Sequence, residues 1–247
     1  MKQLIYICCL LGLYTTAQAQ YTVKGKIEFE KKMNIHRQFQ DESEGGNNDW
    51  FERMKTQIPK FSVSYFDMYF NGDKVIYKPG KESEQTFKMF GEGPATKNTV
   101  YTDLKGQKVN SLKQIYEQKY NVEDSMRVLK WVIKDEIRTI ANFKCRKAVS
   151  KICDSVYVVA FYTDDIMVSG GPEMFSGLPG MILELAIPRL YTTWVATKVE
   201  LLEPSETDFA FDPKGKKVTQ KELIEQLQSS FKNWGKYAAR SVWWCVL

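Results

Sequence analysis

Apolar and polar positions alternate along YTVKGKIEFEKKM, residues 21–33. Tyr21, Val23, Gly25, Ile27 and Phe29 share one side, and Lys24, Lys26, Glu28 and Glu30 share the other. A period of two predicts a half-buried strand. The segment from there to Asn48 is polar and carries glycines, which predicts a loop. Asn48 is placed to cap a short helix reaching Ile58, with Trp50, Phe51, Met54 and Ile58 on one side. FSVSYFDMYF and KVIYKP flank Asn71-Gly72-Asp73. Asn-Gly between two apolar runs is a strong hairpin signal, because both residues tolerate positive φ. After a glycine-rich loop over 80–98, TVYTDL and KVNSLKQIYEQKY flank Lys105-Gly106-Gln107 as a further strand pair.

Short segments rich in β-branched and aromatic residues follow: VLKWVI, IRTIANFKCRKAVSK, VYVVAFYT, MILELAI and TTWVATKVELL. No long helical period separates them, so parallel crossovers are not expected and consecutive strands pair as an antiparallel meander. The period changes near the C-terminus. Thr219 and Glu222 form a capping box, and a helix over 219–234 places Leu223, Leu227, Phe231 and Trp234 near one stripe. Gly235 is placed to end it. The apolar tail SVWWCVL suits a last strand or an anchor. The predicted fold is mainly β (α+β), a curved antiparallel meander sheet or half-barrel with one or two packed helices.

The N-terminus adds a location. MKQLIYICCLLGLYTTAQAQ has Lys2, an apolar run from Leu4 to Leu13, and Ala17-Gln18-Ala19. That order reads as a signal peptide over 1–19, leaving a single domain over 20–247. Cys8 and Cys9 lie inside the apolar run and are poorly placed for a lipobox. The expected location is the periplasm, with association with the outer membrane as an option. No later stretch is long enough for a transmembrane span, although peripheral membrane contact is compatible with the chain.

Composition narrows the chemistry. Aromatic residues make up 13% of 247 residues, which favours strands. The net charge of +5 is mild and spread along the chain, which argues against nucleic acid as a partner. His36 is the one histidine, which nearly excludes a multi-histidine metal site and leaves a Ser-His-Asp site no base but His36, a residue that reads as a surface histidine in its polar segment. No cofactor or metal site is indicated. Cys145, Cys153 and Cys245 remain after processing. Cys145 and Cys153 lie about 26 Å apart if they share one strand, too far to bridge. Pairing of either with Cys245 and simple burial of Cys145 both remain open.

GPEMFSGLPGMILEL, residues 171–185, concentrates glycine and proline ahead of an apolar run. Collagen needs glycine at every third position, and neither a P-loop lysine nor a GxSxG elbow is present. A structural turn accounts for more. Pro179 sets its own φ and pushes Leu178 towards an extended conformation. Gly180 supplies backbone freedom or allows close approach of another chain. Phe175 and Leu178 should tuck into the sheet. Gly171, Pro172, Gly177, Leu178, Pro179 and Gly180 are therefore the structural motif, a lead-in to a core strand.

The order Trp131-Val-Ile, Thr139 to Ala148, Ala160-Phe-Tyr-Thr163, Gly171-Pro172 and Ser176-Gly-Leu-Pro-Gly-Met-Ile-Leu-Glu184 resembles the GLPGLI family. These are exported proteins of Gram-negative bacteria without an established activity. Asn142-Phe143, Phe161, Glu173-Met174 and Met181 depart from the family pattern. A looser likeness exists to periplasmic half-barrels that carry lipid or lipoprotein, at the level of fold only.

Candidate sites are few. Asp164 and Asp165, with Glu173 nearby, lack calcium-loop spacing, and adjacent aspartates at a strand end ordinarily face water. Trp131, Phe143, Tyr157, Phe161, Tyr162, Trp194 and Trp234 are candidates to line a groove, and equally to fill a core. Phe161, Tyr162, Phe175, Leu178 and Pro179 are the candidate binding residues, and no catalytic residues are assigned. The expectation is a non-enzymatic periplasmic carrier for a lipid, lipoprotein or outer-membrane polypeptide. The alternative is a cell-envelope assembly protein that docks through a sheet edge or the C-terminal tail.

Overall fold

The computed structural model describes residues 22–43, 49–85, 95–152 and 156–247. The predicted signal peptide, Asn48 and Cys153 lie outside the described residues. The strands are β1 (Lys24–Asn34), β2 (Phe61–Asn71), β3 (Lys74–Pro79), β4 (Thr99–Asp103), β5 (Lys108–Ile115), β6 (Gln118–Ser125), β7 (Val132–Ile140), β8 (Phe143–Lys151), β9 (Tyr157–Thr163), β10 (Met181–Ile187), β11 (Thr192–Glu200) and β12 (Lys216–Val218). The helices are α1 (Ile35–Ser43), α2 (Asp49–Met54), α3 (Gln220–Ser230) and α4 (Lys236–Cys245). All strands form one open sheet, ordered β12-β6-β5-β4-β3-β2-β1-β11-β10-β9-β8-β7. It is mostly β and is not closed into a barrel.

From β6 across to β7 neighbouring strands pair antiparallel as expected, with β1 joining the two meanders between β2 and β11. The alternation in β1 is regular, with Gly25, Ile27, Phe29, Lys31 and Met33 buried. Residues of β4 and β5 (Val100, Val109) belong to the same apolar cluster as residues of β8 (Cys145, Ala148). Strands near opposite ends of the sheet therefore wrap around one core, and the face they share is called the core face below.

Four elements differ from expectation. The polar segment after β1 begins as α1, where Asn34 Oδ1 accepts the Arg37 N–H at 3.0 Å as an N-terminal cap. His36 is thereby half-buried, bonded to the Ile58 carbonyl at 2.8 Å. KVNSLKQIYEQKY folds back at Tyr116-Glu117 into β5 and β6. β12 pairs parallel to β6, following the long connector after β11. The tail is neither strand nor exposed anchor. It is the helix α4, with Trp244, Val246 and Leu247 buried.

The capping box of α3 is present. Glu222 N–H donates to Thr219 Oγ1 at 3.2 Å, and Thr219 N–H donates to Glu222 Oε2 at 2.7 Å. Leu223, Leu227 and Phe231 bury against Ile115, Val122 and Val218. Trp234 stays 43% exposed and packs at the rim against the tilted ring of Phe231, 4.7 Å away.

Both sheet edges are blunted. β7 exposes Val132, Ile133 and Ile137, but Lys134, Asp135 and Glu136 sit in a bulge where the pairing register with β8 breaks. β12 is short and carries Lys216 and Lys217. A bulge, charges and shortness each hinder addition of a further strand. Among the described residues no helix is long and apolar enough to cross a membrane.

Candidate binding site

The core face carries charge where its strand pattern places apolar residues. Lys31 stands in the same alternating row as Ile27, Phe29 and Met33, and Lys113 in the row of Val109, Ser111 and Ile115. Their exposures are 2% and 1%. Glu173 is equally buried and enters from the loop ahead of β10 with φ of +56°. Such a backbone conformation is uncommon for a side-chain-bearing residue.

Hydrogen bonds hold these groups in place. Asn98 Nδ2 donates to Glu173 Oε2 at 2.9 Å, while Glu173 Oε1 has no hydrogen-bond partner among the described residues. Lys31 Nζ donates to the Ala95 carbonyl at 2.9 Å. It also lies over the rings of Trp194 and Trp244, 5.5 and 4.9 Å from their centroids. Trp194 Nε1 donates to the Tyr77 hydroxyl at 3.1 Å, and Tyr77 stacks on Phe66. Lys113 Nζ donates to the main-chain carbonyl of Leu247. Arg127 Nη2 donates to that of Val246 at 2.7 Å. The end of α4 is thus tied to the core face through its backbone.

Burial governs the charges. It lowers both Lys31 and Lys113 to about 8, with Glu173 pulling the other way. It raises the Glu173 carboxyl, opposed by Lys31, Lys113 and the bond from Asn98. Between about pH 8 and 10.5 the unfolded chain holds lysine protons that the folded chain has released. Stability contributed by the two lysines therefore rises with pH through that window. Cys145 and Cys245, raised by burial to about 12 and about 11, oppose the trend above pH 9. Urea unfolding should show a gain of about 1 kcal/mol per lysine from pH 7 to pH 9. Lys31→Met combined with Lys113→Met should abolish the gain, and an unchanged slope in that variant contradicts the assignment.

A cleft of about 350 Å³ is lined among others by Val109, Asp124, Met174, Ser176, Gln220 and Arg127, the residue that bonds Val246. Both amide atoms of Gln220 are shielded and lack partners among the described residues, although its main-chain N–H donates to Asp124 Oδ2 at 3.0 Å. Among the described residues no group of three or more His, Cys, Asp or Glu is placed to hold a metal ion.

The residues singled out from sequence are not brought to one surface. Phe161 and Tyr162, adjacent on β9, point to opposite faces, and the Arg138 guanidinium sits 4.1 Å from the Phe161 ring centre. Phe175 and Leu178 are buried, while Pro179 is exposed. The loop is held as a packed lead-in to β10. Trp131 Nε1 donates to the Ser176 carbonyl, and Gly177 N–H donates to Ser169 Oγ, each at 2.9 Å. A Cβ on Gly171 would meet the Ile182 side chain and the Phe175 carbonyl at 2.9 Å.

Other candidates separate similarly. Asp164 and Asp165 are exposed at the end of β9, whereas Glu173 is in the interior. Of the aromatic candidates, Trp194 is buried, but Tyr157 and Trp234 face water, so the set lines no common groove. Cys145 and Cys245 are both free thiols. Lys31, Lys113 and Gln220 were not candidates from sequence. For the lysines the signal was parity, since each occupies the inward position of an otherwise regular strand.

Comparison with known proteins finds one family model and a few structures of similar fold. Residues 149–184, from the end of β8 through the Gly177–Gly180 turn into β10, match the family model described as "Protein of unknown function (Porph_ging)". Two solved structures of PNGF-II, in P21 and C2 space groups, are similar in fold. Each has a TM-score of 0.52, at 14% and 13% identity over 79% and 89% of this chain. The chain spans only about a third of PNGF-II, 31% and 32% in the two structures. An uncharacterised conserved protein from Thermus thermophilus aligns with a TM-score of 0.40 at 6% identity, over 86% of this chain and 99% of its own. No curated protein matches the chain.

Proposed function

We propose that this chain is a non-enzymatic binding protein of the periplasm. It takes a hydrophobic or extended partner, of the lipid, lipoprotein or outer-membrane polypeptide class, on the core face of its sheet. The observation that supports this most is how that face is covered at Lys113 and Arg127. There the cover is the end of α4, held by bonds to its main chain, with an open cleft beside it. Elsewhere the face is packed by the protein's own side chains, Trp194, Phe29, Phe66 and Tyr77 among them. The space for a partner is therefore the cleft together with the seat of the tail, smaller than an open half-barrel would offer. The N-terminal pattern and the GLPGLI-like order over residues 131–185 support export and that family assignment.

The alternative, docking of an envelope assembly protein through a sheet edge or the tail, has weaker support. The edges carry a bulge, charges or too few residues, and the tail is buried. A photo-crosslinking residue at Val128, 91% exposed and on the rim of the cleft, tests the first reading in cells. Adducts are expected at Val128 and not at Leu201, which is exposed elsewhere. Equal labelling at both positions, or none at Val128, counts against it.

A further inference from the structure

We propose that the seat of Trp244 to Leu247 and the adjoining cleft form one peptide-binding site. Its partner is an apolar polypeptide segment, and the end of α4 fills the inner half of the site until that partner displaces it. This rests on the core-face reading above and narrows its partner to polypeptide.

Three observations carry it. First, Arg127 holds the Val246 carbonyl and Lys113 holds a backbone oxygen of Leu247. Bonds to backbone oxygens at the end of a helical segment do not depend on its side chains, and the apolar side chains then set the preference. Second, Lys31 lies 4.9 Å from the Trp244 ring centre, and a buried cation of this kind favours an aromatic residue at that position. Third, Arg127 lines the cleft and also bonds the tail, so its side chain borders both. Gln220 lines that cleft, and both atoms of its amide are shielded from water and lack a hydrogen-bond partner among the described residues. A buried amide without partners is costly, and a backbone amide N–H and carbonyl satisfy both of its atoms at once. An acyl chain satisfies neither, which is why polypeptide is favoured over lipid.

The test uses the full chain and a fluorescent peptide with the sequence of residues 240–247, with serine at the cysteine position. Trp244→Ser combined with Leu247→Asp releases the tail without altering the groups on the sheet. The released chain should keep its circular dichroism and a cooperative melt. It should bind the peptide, by anisotropy, about tenfold or more tightly than the unaltered chain. Adding Lys113→Met or Gln220→Ala should cost about fivefold or more of that gain. A released chain that folds yet binds the peptide no better overturns the proposal. So does a chain that fails to fold even with the milder Leu247→Ala alone, because the tail is then ordinary core. A fluorescent long-chain fatty acid separates the two levels of the argument. Binding of fatty acid without peptide leaves the core-face reading standing and removes the peptide; binding of neither removes both.

Discussion

Gly180→Ala should lower stability by about 3 kcal/mol or more, a large share of the roughly 5–15 kcal/mol that holds a domain folded. The cause is close approach rather than an unusual backbone angle. A Cβ at Gly180 would overlap the Thr163 carbonyl oxygen, and would lie 2.8 Å from the Thr163 carbonyl carbon and 3.1 Å from Asp164 Cα. All three are backbone atoms, so no side chain can rotate away. β10 would have to move off β9 at its first pair, Met181 with Thr163, next to buried Ile166, Val168 and Leu183. Gly177→Ala is the matched comparison in the same turn. Its φ is +91°, but the nearest atoms to an added Cβ belong to the Trp131 ring at 3.7 Å or more. The expected cost there is backbone strain of about 1 kcal/mol. Urea unfolding of both variants checks the contrast, and equal losses would show that overlap at Gly180 is not the cause.

Glu173→Gln should be nearly as damaging at neutral pH, and its damage should depend on pH. Gln keeps the shape of the side chain and can still accept from Asn98 Nδ2 through its amide oxygen. It removes the negative charge that supports Lys31 and Lys113 in a fully buried setting. Two buried cations then lose their stabilising field, at a cost of about 2–3 kcal/mol. Both lysines should release their protons at lower pH than in the unaltered chain. The loss should therefore shrink from pH 7 to pH 9, as the folded variant holds neutral lysines while the unaltered chain also sheds its own. A loss independent of pH would show that the carboxylate does not act on the lysines. Replacing Lys31, Lys113 and Glu173 together by Met, Met and Leu should preserve or raise stability, as for other buried charge groups exchanged for apolar residues.

The sequence showed most where one short stretch carried its own physical constraint. β1 was legible from period two, the β2–β3 hairpin from Asn71-Gly72, and the start of α3 from Thr219 and Glu222. The GLPG turn was legible as a lead-in to β10 because proline and glycine restrict the backbone there directly. Elements that rest on weaker local signals were hidden. The β5–β6 turn has no glycine and places Tyr116 at φ +52°, a conformation that a tyrosine does not advertise. α1 had a cap in Asn34 and apolar Ile35 and Phe39 four residues apart, but its polar composition read as a loop. In the tail, an apolar run of six residues after Ser241 fits strand or helix equally. Its helical form depends on the corner at Gly235, φ +56°, and on packing against α3 and the core.

The candidate site was the least legible part. Lys31 and Lys113 could be read as inward-facing from parity alone. Their meeting with Glu173, Asn98 and the end of α4 depends on strands and loops far apart in the chain. The same limit applies to Gln220, whose unused amide is visible only once the cleft exists.

The position of β1 has a consequence for how the chain acquires its shape. One edge of this first strand pairs with β2 soon after it in sequence, but the other pairs with β11, Lys26 standing opposite Glu200. The central seam of the sheet therefore cannot close until the second half of the chain is present. A nascent polypeptide of this design should stay incompletely folded until nearly all of it has emerged, and should then fold slowly for its size.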